Sequence, residues 1–226
     1  MIIAIICGAT GIGKSDIAYN IAKANGFEII SADSRQIYKD MEIGTGQVEP
    51  EWKKRIPHHF MGFLHPSVTY SANQYRKDVM DFLQKNLDKK FLIVGGTGMY
   101  LKTLLYDQKQ ERKAISPEIK AAVKEKLDKL GAQNIYDELK KQDFAVAKKI
   151  HPNDIFRITK AYENFLSTGK SYMEYDIKGQ KNDQFKNIPI INIVMERKKL
   201  YKKIDKRVQK MIEKGWLEEV KKNAGK

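Results

Sequence analysis

The sequence has a single cysteine, Cys7, among its 226 residues. One thiol can neither form an internal disulfide nor assemble a thiolate metal site, so a disulfide scaffold, a Cys-based zinc finger and a paired-cysteine redox centre are excluded. Cys7 is expected to be a buried free thiol, which is the usual state of a lone cysteine.

Long apolar runs are also missing, since none approaches the roughly 18 residues that a membrane span requires. The first apolar run, Ile2 to Cys7, follows Met1 without a preceding basic stretch, so a secretory leader is not expected. With 42% hydrophobic and 31% charged residues, the composition is typical of a soluble globular chain. We expect a cytoplasmic location and no membrane association.

Acidic residues are scarce relative to basic ones: 28 Asp and Glu stand against 42 Lys and Arg, a net charge of +14. Residues 101–226 hold most of the excess, with 30 basic and 18 acidic side chains, whereas residues 1–100 have 12 and 10. Such asymmetry favours a polyanionic partner, because neutralised phosphates release counterions. A lysine-rich surface explains it equally well, so composition leaves both readings open.

The apolar pattern predicts an α/β core. Strands buried on both faces, as in a parallel sheet, are predicted for four short runs: Ile2 to Cys7, Phe27 to Ile30, Phe91 to Val94 and Ile188 to Val194. Helical stripes over 15–24 and 71–87 alternate with these strands.

From Ser116 onward the pattern becomes helical. Ser116-Pro117 is typical of an N-cap followed by proline at the first helical position, and Gly131 is expected to end that helix. Further helices are predicted over 134–141, 144–150 and 154–166, and one long charged helix over 198–223. The predicted organisation is a core of residues 1–115 and 186–226, interrupted by a basic, mainly helical insertion over 116–185.

The segment between the first strand and the first helix reads GATGIGKS and matches the phosphate-loop pattern GxxxxGK[ST]. Glycines let the backbone N–H groups point at phosphate oxygens, and the helix N-terminus adds partial positive charge. Lys14 would bridge the terminal phosphates and the Ser15 hydroxyl would ligate Mg²⁺. We therefore predict a P-loop core whose polyphosphate site consists of Gly8, Thr10, Gly11, Ile12, Gly13, Lys14 and Ser15.

Two further strand ends carry polar residues. Asp33 follows the second strand, and because the carboxyl ends of parallel strands form the ligand crevice, it should open on the same cavity as the phosphate loop. A hydrolase would use such an aspartate to hold Mg²⁺, a transferase would use it as a general base, and a helix N-cap is the structural alternative. After the third strand, Thr97 lies among three glycines and can bridge a phosphate and a substrate group. His58, His59 and His65 are expected to lie in a loop without a metal role.

Six segments, in order along the whole chain, resemble the motifs of the tRNA dimethylallyltransferases: GATGIGKS, ADSRQIYKDMEIGTG, IPHHFMGFLHPSVTYSANQYRKD, LIVGGTGMYLKTLLYD, HPNDIFRITKAYENFLSTGKS and ERKKLYKKIDKRVQKMIEKGWLEEV. That family transfers a dimethylallyl group from dimethylallyl diphosphate to the exocyclic N6 of the adenine on the 3′ side of the anticodon, and releases diphosphate. The resemblance implies a tRNA anticodon stem-loop and dimethylallyl diphosphate as partners, with Mg²⁺ as cofactor. We expect a monomer.

The resemblance also implies residue roles. Asp33 would be the catalytic base that accepts the proton of the adenine amine, and Thr97 would lie between amine and diphosphate. Arg197 and Lys203 would join the phosphate loop at the diphosphate. Contacts with tRNA are implied for Asp33, Ser34, Arg35, Gln36, Arg157 and Lys160, the last two within the insertion.

The sequence departs from the family in three places. Many members have a Gln-Arg pair where this chain has Phe156-Arg157, and arginines where it has Lys160 and Lys203. Family members usually continue beyond the position of Lys226 through a further helical segment with basic residues. The expectation is that prenyl transfer survives while tRNA binding is weaker than in longer relatives.

Other functions remain open from the sequence. An adenylate isopentenyltransferase would prenylate free AMP with the same loop and aspartate, and a small-molecule kinase would use the loop for ATP. A catalytically silent RNA-binding module is the third alternative. The charge of the second half and the Asp33 to Gln36 motif favour tRNA, and no arginine-rich lid is identifiable to favour a kinase.

Overall fold

The computed structural model describes residues 1–107, 115–171 and 180–224. It divides into two compact units, Met1–Leu105 with Lys181–Lys226, and Tyr106–Gln180. The second unit therefore starts and ends earlier than the predicted insertion of 116–185. Backbone hydrogen bonds mark this boundary, since Asp107 N–H donates to the Gln180 carbonyl at 3.0 Å, and Asn182 N–H donates to the Leu105 carbonyl at 2.9 Å.

Within the described residues, the first unit holds a five-stranded sheet of order β3-β2-β4-β1-β5. The strands are β1 Ile2–Gly8, β2 Glu28–Ser31, β3 His58–His59, β4 Phe91–Gly95 and β5 Ile190–Ile193. Every pairing is parallel, which confirms the predicted α/β fold with a parallel sheet. The carboxyl ends of the strands consequently share one edge of the sheet.

Helices surround this sheet and form the second unit. They are α1 Lys14–Asn25, α2 Glu42–Thr45, α3 Pro50–Arg55, α4 Ala72–Gln84, α5 Gly98–Leu105, α6 Pro117–Gln142, α7 Phe144–Ala147, α8 Ile155–Thr168, α9 Arg197–Glu213 and α10 Trp216–Asn223. The single long helix predicted over 198–223 is wrong, because Gly215 adopts a left-handed φ of 92° and separates α9 from α10.

The sheet has an apolar layer on each face. Ile5 and Ile93 pack with Tyr75 of α4 on one side, whereas Ile6 and Leu92 belong to the cluster that α1 covers on the other. Alternate residues of a strand point to opposite faces, so both layers come from the same short apolar runs.

The fourth predicted strand forms, but the prediction that both its faces are buried is wrong. Ile190 and Ile191 of β5 are each 46% exposed, because β5 lies at the sheet edge and pairs only with β1 among the described strands. Cys7 is half-buried rather than fully buried, with its Sγ 3.8 Å from Asn192 Oδ1.

His58 and His59 form β3 rather than part of a loop. His58 Nδ1 lies 2.7 Å from the Ile56 carbonyl oxygen, and His59 Nε2 lies 2.6 Å from Glu28 Oε2. Both imidazoles thus have structural partners, and burial lowers the pKa of His58.

The second unit has its own apolar core, in which Ile135, Leu139 and Ile158 are fully buried. Ser116 caps α6 by accepting from Ile119 N–H, as its sequence predicts. Gly131 departs from helical geometry (φ 76°, ψ 167°) inside the span of α6, which matches the predicted helix end there. No helix in the described ranges is long and apolar enough to cross a membrane.

Candidate active site

The turn between β1 and α1 has the backbone of an anion-binding loop. Gly11 and Gly13 have φ values of 79° and 107°, in the region that favours glycine. Gly13 is the N-cap of α1 and supplies no side-chain acceptor to the first N–H groups of the helix. These N–H groups and the positive end of the helix dipole therefore suit a bound phosphate.

Lys14 is folded back over this loop. Its Nζ donates to the carbonyl oxygens of Gly8 at 3.1 Å and Ala9 at 2.9 Å, and it has no salt bridge among the described residues. Burial lowers the pKa of Lys14, Asp33 opposes that shift, and Arg207 adds to it. A charged ammonium held only by neutral carbonyls is suited to an incoming anion.

Asp33 follows β2 at the carboxyl edge of the sheet. Its Oδ1 accepts from Arg35 N–H at 2.9 Å and more weakly from Gln36 N–H at 3.4 Å. Within the described structure, Oδ2 has no hydrogen-bond partner. One oxygen of the carboxylate is thus fixed by the turn, while the other can face a ligand.

Thr97 joins the end of β4 to this turn. Its Oγ1 accepts from Ser34 N–H at 2.9 Å, and its own N–H donates to the Ala32 carbonyl at 3.2 Å. A side chain at Gly95 would place its Cβ 2.0 Å from that same carbonyl oxygen. Glycine is therefore needed for β4 to end so close to the Asp33 turn.

Helix α9 lies across the phosphate loop. Lys203 Nζ donates to the Ile12 carbonyl at 2.9 Å, and a Cβ at Gly13 would lie 2.8 Å from the same Nζ. Ile204 packs over Gly11 in the same way, 3.0 Å from the position of an added Cβ. The structure thus brings the Lys203 predicted for the diphosphate site to the loop.

The loop, the Asp33 turn and α9 line an open cavity of about 930 Å³. Sequence-predicted residues that line it are Thr10, Gly11, Gly13, Lys14, Ser15, Asp33, Gln36 and Lys203. Gly8 and Ile12 instead act through their carbonyls, which accept from Lys14 and Lys203. Ser34, Arg35 and Thr97 are not among the described lining residues.

The sequence reasoning missed cationic residues of α9 that line this cavity, namely Lys206, Arg207 and Lys210. Their spacing from Lys203 follows the i, i+3, i+4, i+7 pattern of one helix face. That periodicity is the signal in the sequence that points to these residues, whereas the resemblance to the family implies only Arg197 and Lys203.

Arg197 is not among the described residues that line the cavity. Its Nε donates to the Tyr201 hydroxyl at 2.6 Å, and its guanidinium lies 5.2 Å from the Tyr201 ring centroid. Arg197 and Lys203 are six positions apart, about 240° around a helix of 3.6 residues per turn, so they point in different directions.

Residues 42–53 provide a further wall of the cavity. Gln36 Nε2 donates to the Gly46 carbonyl at 2.8 Å, which links this wall to the Asp33 turn. Glu219 of α10 accepts from Ile43 N–H and Gly44 N–H, both at 2.7 Å, and so caps α2 from a distant part of the chain.

The predicted tRNA contacts in the second unit differ in their surroundings. Arg157 is 71% exposed and forms a surface pair with Asp154 at 3.3 Å. Lys160 Nζ lies 2.8 Å from Glu163, whose side chain is 6% exposed. Arg157 is thus accessible to a ligand, whereas Lys160 neutralises a buried carboxylate.

The donors that could hold Mg²⁺ are few. Across the described residues no group of three or more His, Cys, Asp or Glu side chains is arranged for a metal ion. Ser15 and Asp33 offer a hydroxyl and a carboxylate to the same cavity. This donor set fits an ion bound mainly by substrate phosphates and water, which is how Mg²⁺ is commonly held.

A model of the IPP transferase family matches residues 36–225. The chain is also similar to the tRNA dimethylallyltransferase of Fusobacterium nucleatum, with 38% identity over 96% of this chain and 70% of the relative. The corresponding protein of Bacillus licheniformis is 36% identical over 96% of this chain and 69% of its own length.

The chain is also similar to solved structures of enzymes that carry the same kind of name. A eukaryotic dimethylallyltransferase that acts on tRNA superimposes with a TM-score of 0.78 and 29% identity, over 99% of this chain and 56% of its own. The tRNA isopentenylpyrophosphate transferase of Staphylococcus epidermidis superimposes with a TM-score of 0.59 and 33% identity, over 97% and 72% of the two chains.

Proposed function

The chain belongs to the IPP transferase family, and from this premise we propose that it transfers the dimethylallyl group of dimethylallyl diphosphate to N6 of the adenine 3′-adjacent to the anticodon in tRNA. The observation that carries this proposal is the cavity, which the phosphate loop, Asp33 and the cationic face of α9 all line. A diphosphate and a nucleophile can therefore meet in one site.

The reaction breaks the bond between the allylic carbon and the diphosphate oxygen and forms a carbon–nitrogen bond to N6. The electron pair of the broken bond leaves on diphosphate, and N6 loses one proton. Asp33 would accept that proton, because its Oδ1 is held by backbone N–H groups and a positioned carboxylate can act as general base.

Charge that develops on the leaving diphosphate needs stabilisation by fixed cations and N–H donors. Lys14, Lys203 and Arg207 line the cavity, together with the N-terminus of α1. Ser15 would hold Mg²⁺ together with the diphosphate, and the ion would supply further positive charge to the leaving group. Each of these groups acts more strongly as the carbon–oxygen bond breaks.

The acceptor would be recognised at the Asp33 to Gln36 turn. Anticodon-loop bases are unpaired and can be splayed into a pocket, which is how most sequence-specific RNA recognition works. Ser34 and Thr97 hold this turn to the end of β4. The exposed Arg157 would add a contact to the tRNA backbone.

The test is incubation of the full chain with prenyl-labelled dimethylallyl diphosphate and one acceptor at a time. An anticodon stem-loop with adenine at the 3′-adjacent position should be labelled in a Mg²⁺-dependent manner, and the same RNA with guanine there should not. Label in free AMP instead would indicate an adenylate isopentenyltransferase, and turnover of ATP would indicate a kinase. Either result would contradict the proposal.

A further inference from the structure

Phe156 is the most exposed phenylalanine in the described part of the chain. It is 71% exposed, and its neighbour Ile155 is 48% exposed. Both lie in the first turn of α8. The core of the second unit is filled from this helix by other residues, since Ile158 and Tyr162 are 1% and 3% exposed. The packing of the second unit therefore does not use the Phe156 ring.

The backbone that carries Phe156 is fixed by hydrogen bonds. Asp154 caps α8, with its Oδ1 accepting from Arg157 N–H at 3.1 Å and its carbonyl accepting from Ile158 N–H at 3.0 Å. Before the cap, Asp154 N–H donates to the His151 carbonyl at 2.8 Å. An aromatic side chain with two rotatable bonds on such a backbone loses little conformational entropy when a ligand binds it.

The charges of this segment are mainly positive. Lys148 and Lys149 follow α7, Arg157 lies in the first turn of α8, and all three are exposed. Neither lysine forms an ion pair with a residue in the described ranges. Asp154 is the one acidic residue in the sequence from 144 to 157, and it is engaged by the N-terminus of α8 and by Arg157. A polyanion would therefore meet attraction without a free carboxylate to oppose it.

An exposed aromatic ring among cations suits single-stranded RNA. Each unpaired nucleotide offers a flat base that stacks on the ring and a phosphate that pairs with lysine or arginine. The bases of a duplex already stack on one another, so a duplex would engage the cations but not the ring. Stacking also tolerates any base, because every base has a π-face.

We propose that Phe156 stacks on one unpaired base of the anticodon loop, while Lys148, Lys149 and Arg157 contact phosphates of the same strand. The inference rests on the proposed function and adds to it an RNA-binding surface of the second unit, residues 148–157. Phe156 supplies affinity that does not depend on salt, and the cations supply affinity that does.

The decisive variant is Phe156→Ala, which removes the ring from an exposed helix position and should leave the thermal midpoint unchanged. We expect its Kd for the anticodon stem-loop to rise about tenfold, the effect of one lost base–aromatic stack. The slope of log affinity against log salt concentration should stay at the wild-type value, because no phosphate contact is lost. Equilibrium binding of the stem-loop at several salt concentrations measures both quantities.

Two further substitutions separate stacking from general apolar contact. Phe156→Tyr keeps a ring and should bind the stem-loop like wild type, whereas Phe156→Leu is apolar without a ring and should bind like Phe156→Ala. Leu166→Ala is the matched control, since it removes an apolar side chain that is 45% exposed from the other end of α8. Its Kd should equal that of wild type.

A fully paired RNA duplex is the control ligand, because it offers phosphates without an unpaired base. Wild type and Phe156→Ala should bind the duplex equally. The inference is wrong if Phe156→Ala or Phe156→Leu binds the stem-loop as tightly as wild type, or if Phe156→Ala loses as much affinity for the duplex. Such a result in a chain that still transfers the prenyl group would overturn the inference alone. Absence of both binding and transfer in the wild-type chain would overturn the proposed function, and the inference with it.

Discussion

Asp33 is oriented by its own turn rather than by a distant charge. Its Oδ1 accepts from the N–H groups of Arg35 and Gln36, so the backbone that follows the residue also aims it. An aspartate in such a turn has a structural role whether or not it is catalytic. A test of catalysis must therefore keep the turn intact.

Asp33→Asn meets this requirement, because its amide oxygen can still accept from the two N–H groups while the side chain can no longer take up a proton. We expect prenyl transfer to fall by a factor of about 100 or more, the usual contribution of a general base. Binding of dimethylallyl diphosphate should be largely retained. Single-turnover rates and equilibrium binding of the diphosphate separate these effects, and a rate close to wild type would remove Asp33 from the mechanism.

The lowered pKa of Lys14 predicts how KM for dimethylallyl diphosphate changes with pH. Burial places its pKa below the usual value near 10.5 in the free protein, and a bound diphosphate favours the protonated form. As pH rises through this lowered pKa, the free protein loses the ammonium, so KM for dimethylallyl diphosphate should rise by up to about tenfold per pH unit. Below that pKa it should be flat.

Lys14→Arg is the control for this prediction, since a guanidinium remains charged with a pKa above about 12. Its KM will differ from that of wild type at neutral pH, because a planar guanidinium does not reproduce the geometry of an ammonium. The alkaline rise should nevertheless disappear. A rise of equal size in both proteins would show that another group titrates.

Several site residues could be predicted from the sequence because their motif is local. The loop from Gly8 to Ser15 requires only a strand, a glycine-rich turn and a helix, all of which are visible in consecutive residues. Arg207 could not be found in the same way, because its place depends on which face of α9 meets the loop. Arg197 was matched by motif, yet its helix position directs it toward Tyr201.

At the scale of elements, most of the long periodic segments were predictable and most of the short ones were not. Most strands and helices with strong apolar patterns form where expected, whereas α2, α3, α5 and the two-residue β3 were missed. Helix α2 spans only Glu42–Thr45, contains Gly44, and has no side-chain cap from its N-cap residue Met41. The N–H groups of its first turn are instead capped by Glu219, about 175 positions away in the chain, a contact that no local pattern contains.

Glu219→Gln tests this long-range cap. A carboxylate can accept from both Ile43 and Gly44, whereas an amide presents one acceptor and one donor, so one N–H group loses its partner. We expect the free energy of unfolding to fall by about 1–2 kcal/mol. Because residues 42–53 line the cavity, KM for the substrates should rise as well.

Glu218→Gln is the matched control on the same helix, since Glu218 is exposed and its carboxylate has no hydrogen bond in the described part of the chain. This variant should unfold at the same denaturant concentration as wild type and keep its KM values. Chemical denaturation followed by circular dichroism measures the stability. Equal losses in both variants would show that the charge of α10, rather than the cap, stabilises the wall.

At the scale of the whole chain, the composition shows an excess of positive charge, and the structure shows that the basic residues lie in different surroundings. Cationic residues of α9 line the proposed diphosphate cavity, whereas Arg157 and Lys160 lie in the second unit. The sequence alone does not distinguish lysines that bind a ligand from lysines that pair with a carboxylate of the protein, because both contribute equally to the net charge of +14. The structure distinguishes them, because a lysine such as Lys160 that pairs with a buried carboxylate is already neutralised within the protein.

Arg157 and Lys160 therefore should not behave alike, although the family resemblance gives both the same role. Arg157→Ala removes an exposed cation whose pair with Asp154 lies on the surface. If it contacts one tRNA phosphate, the slope of log affinity against log salt concentration should decrease by about one unit, with little change in stability.

Lys160→Ala leaves Glu163, which is 4% exposed, without its cation, so the free energy of unfolding should fall by about 1–3 kcal/mol. Stem-loop binding between low and moderate salt, together with denaturation of both variants, measures these effects. An unchanged salt slope for Arg157→Ala would remove that residue from the interface, and a stable Lys160→Ala with a reduced slope would return Lys160 to it.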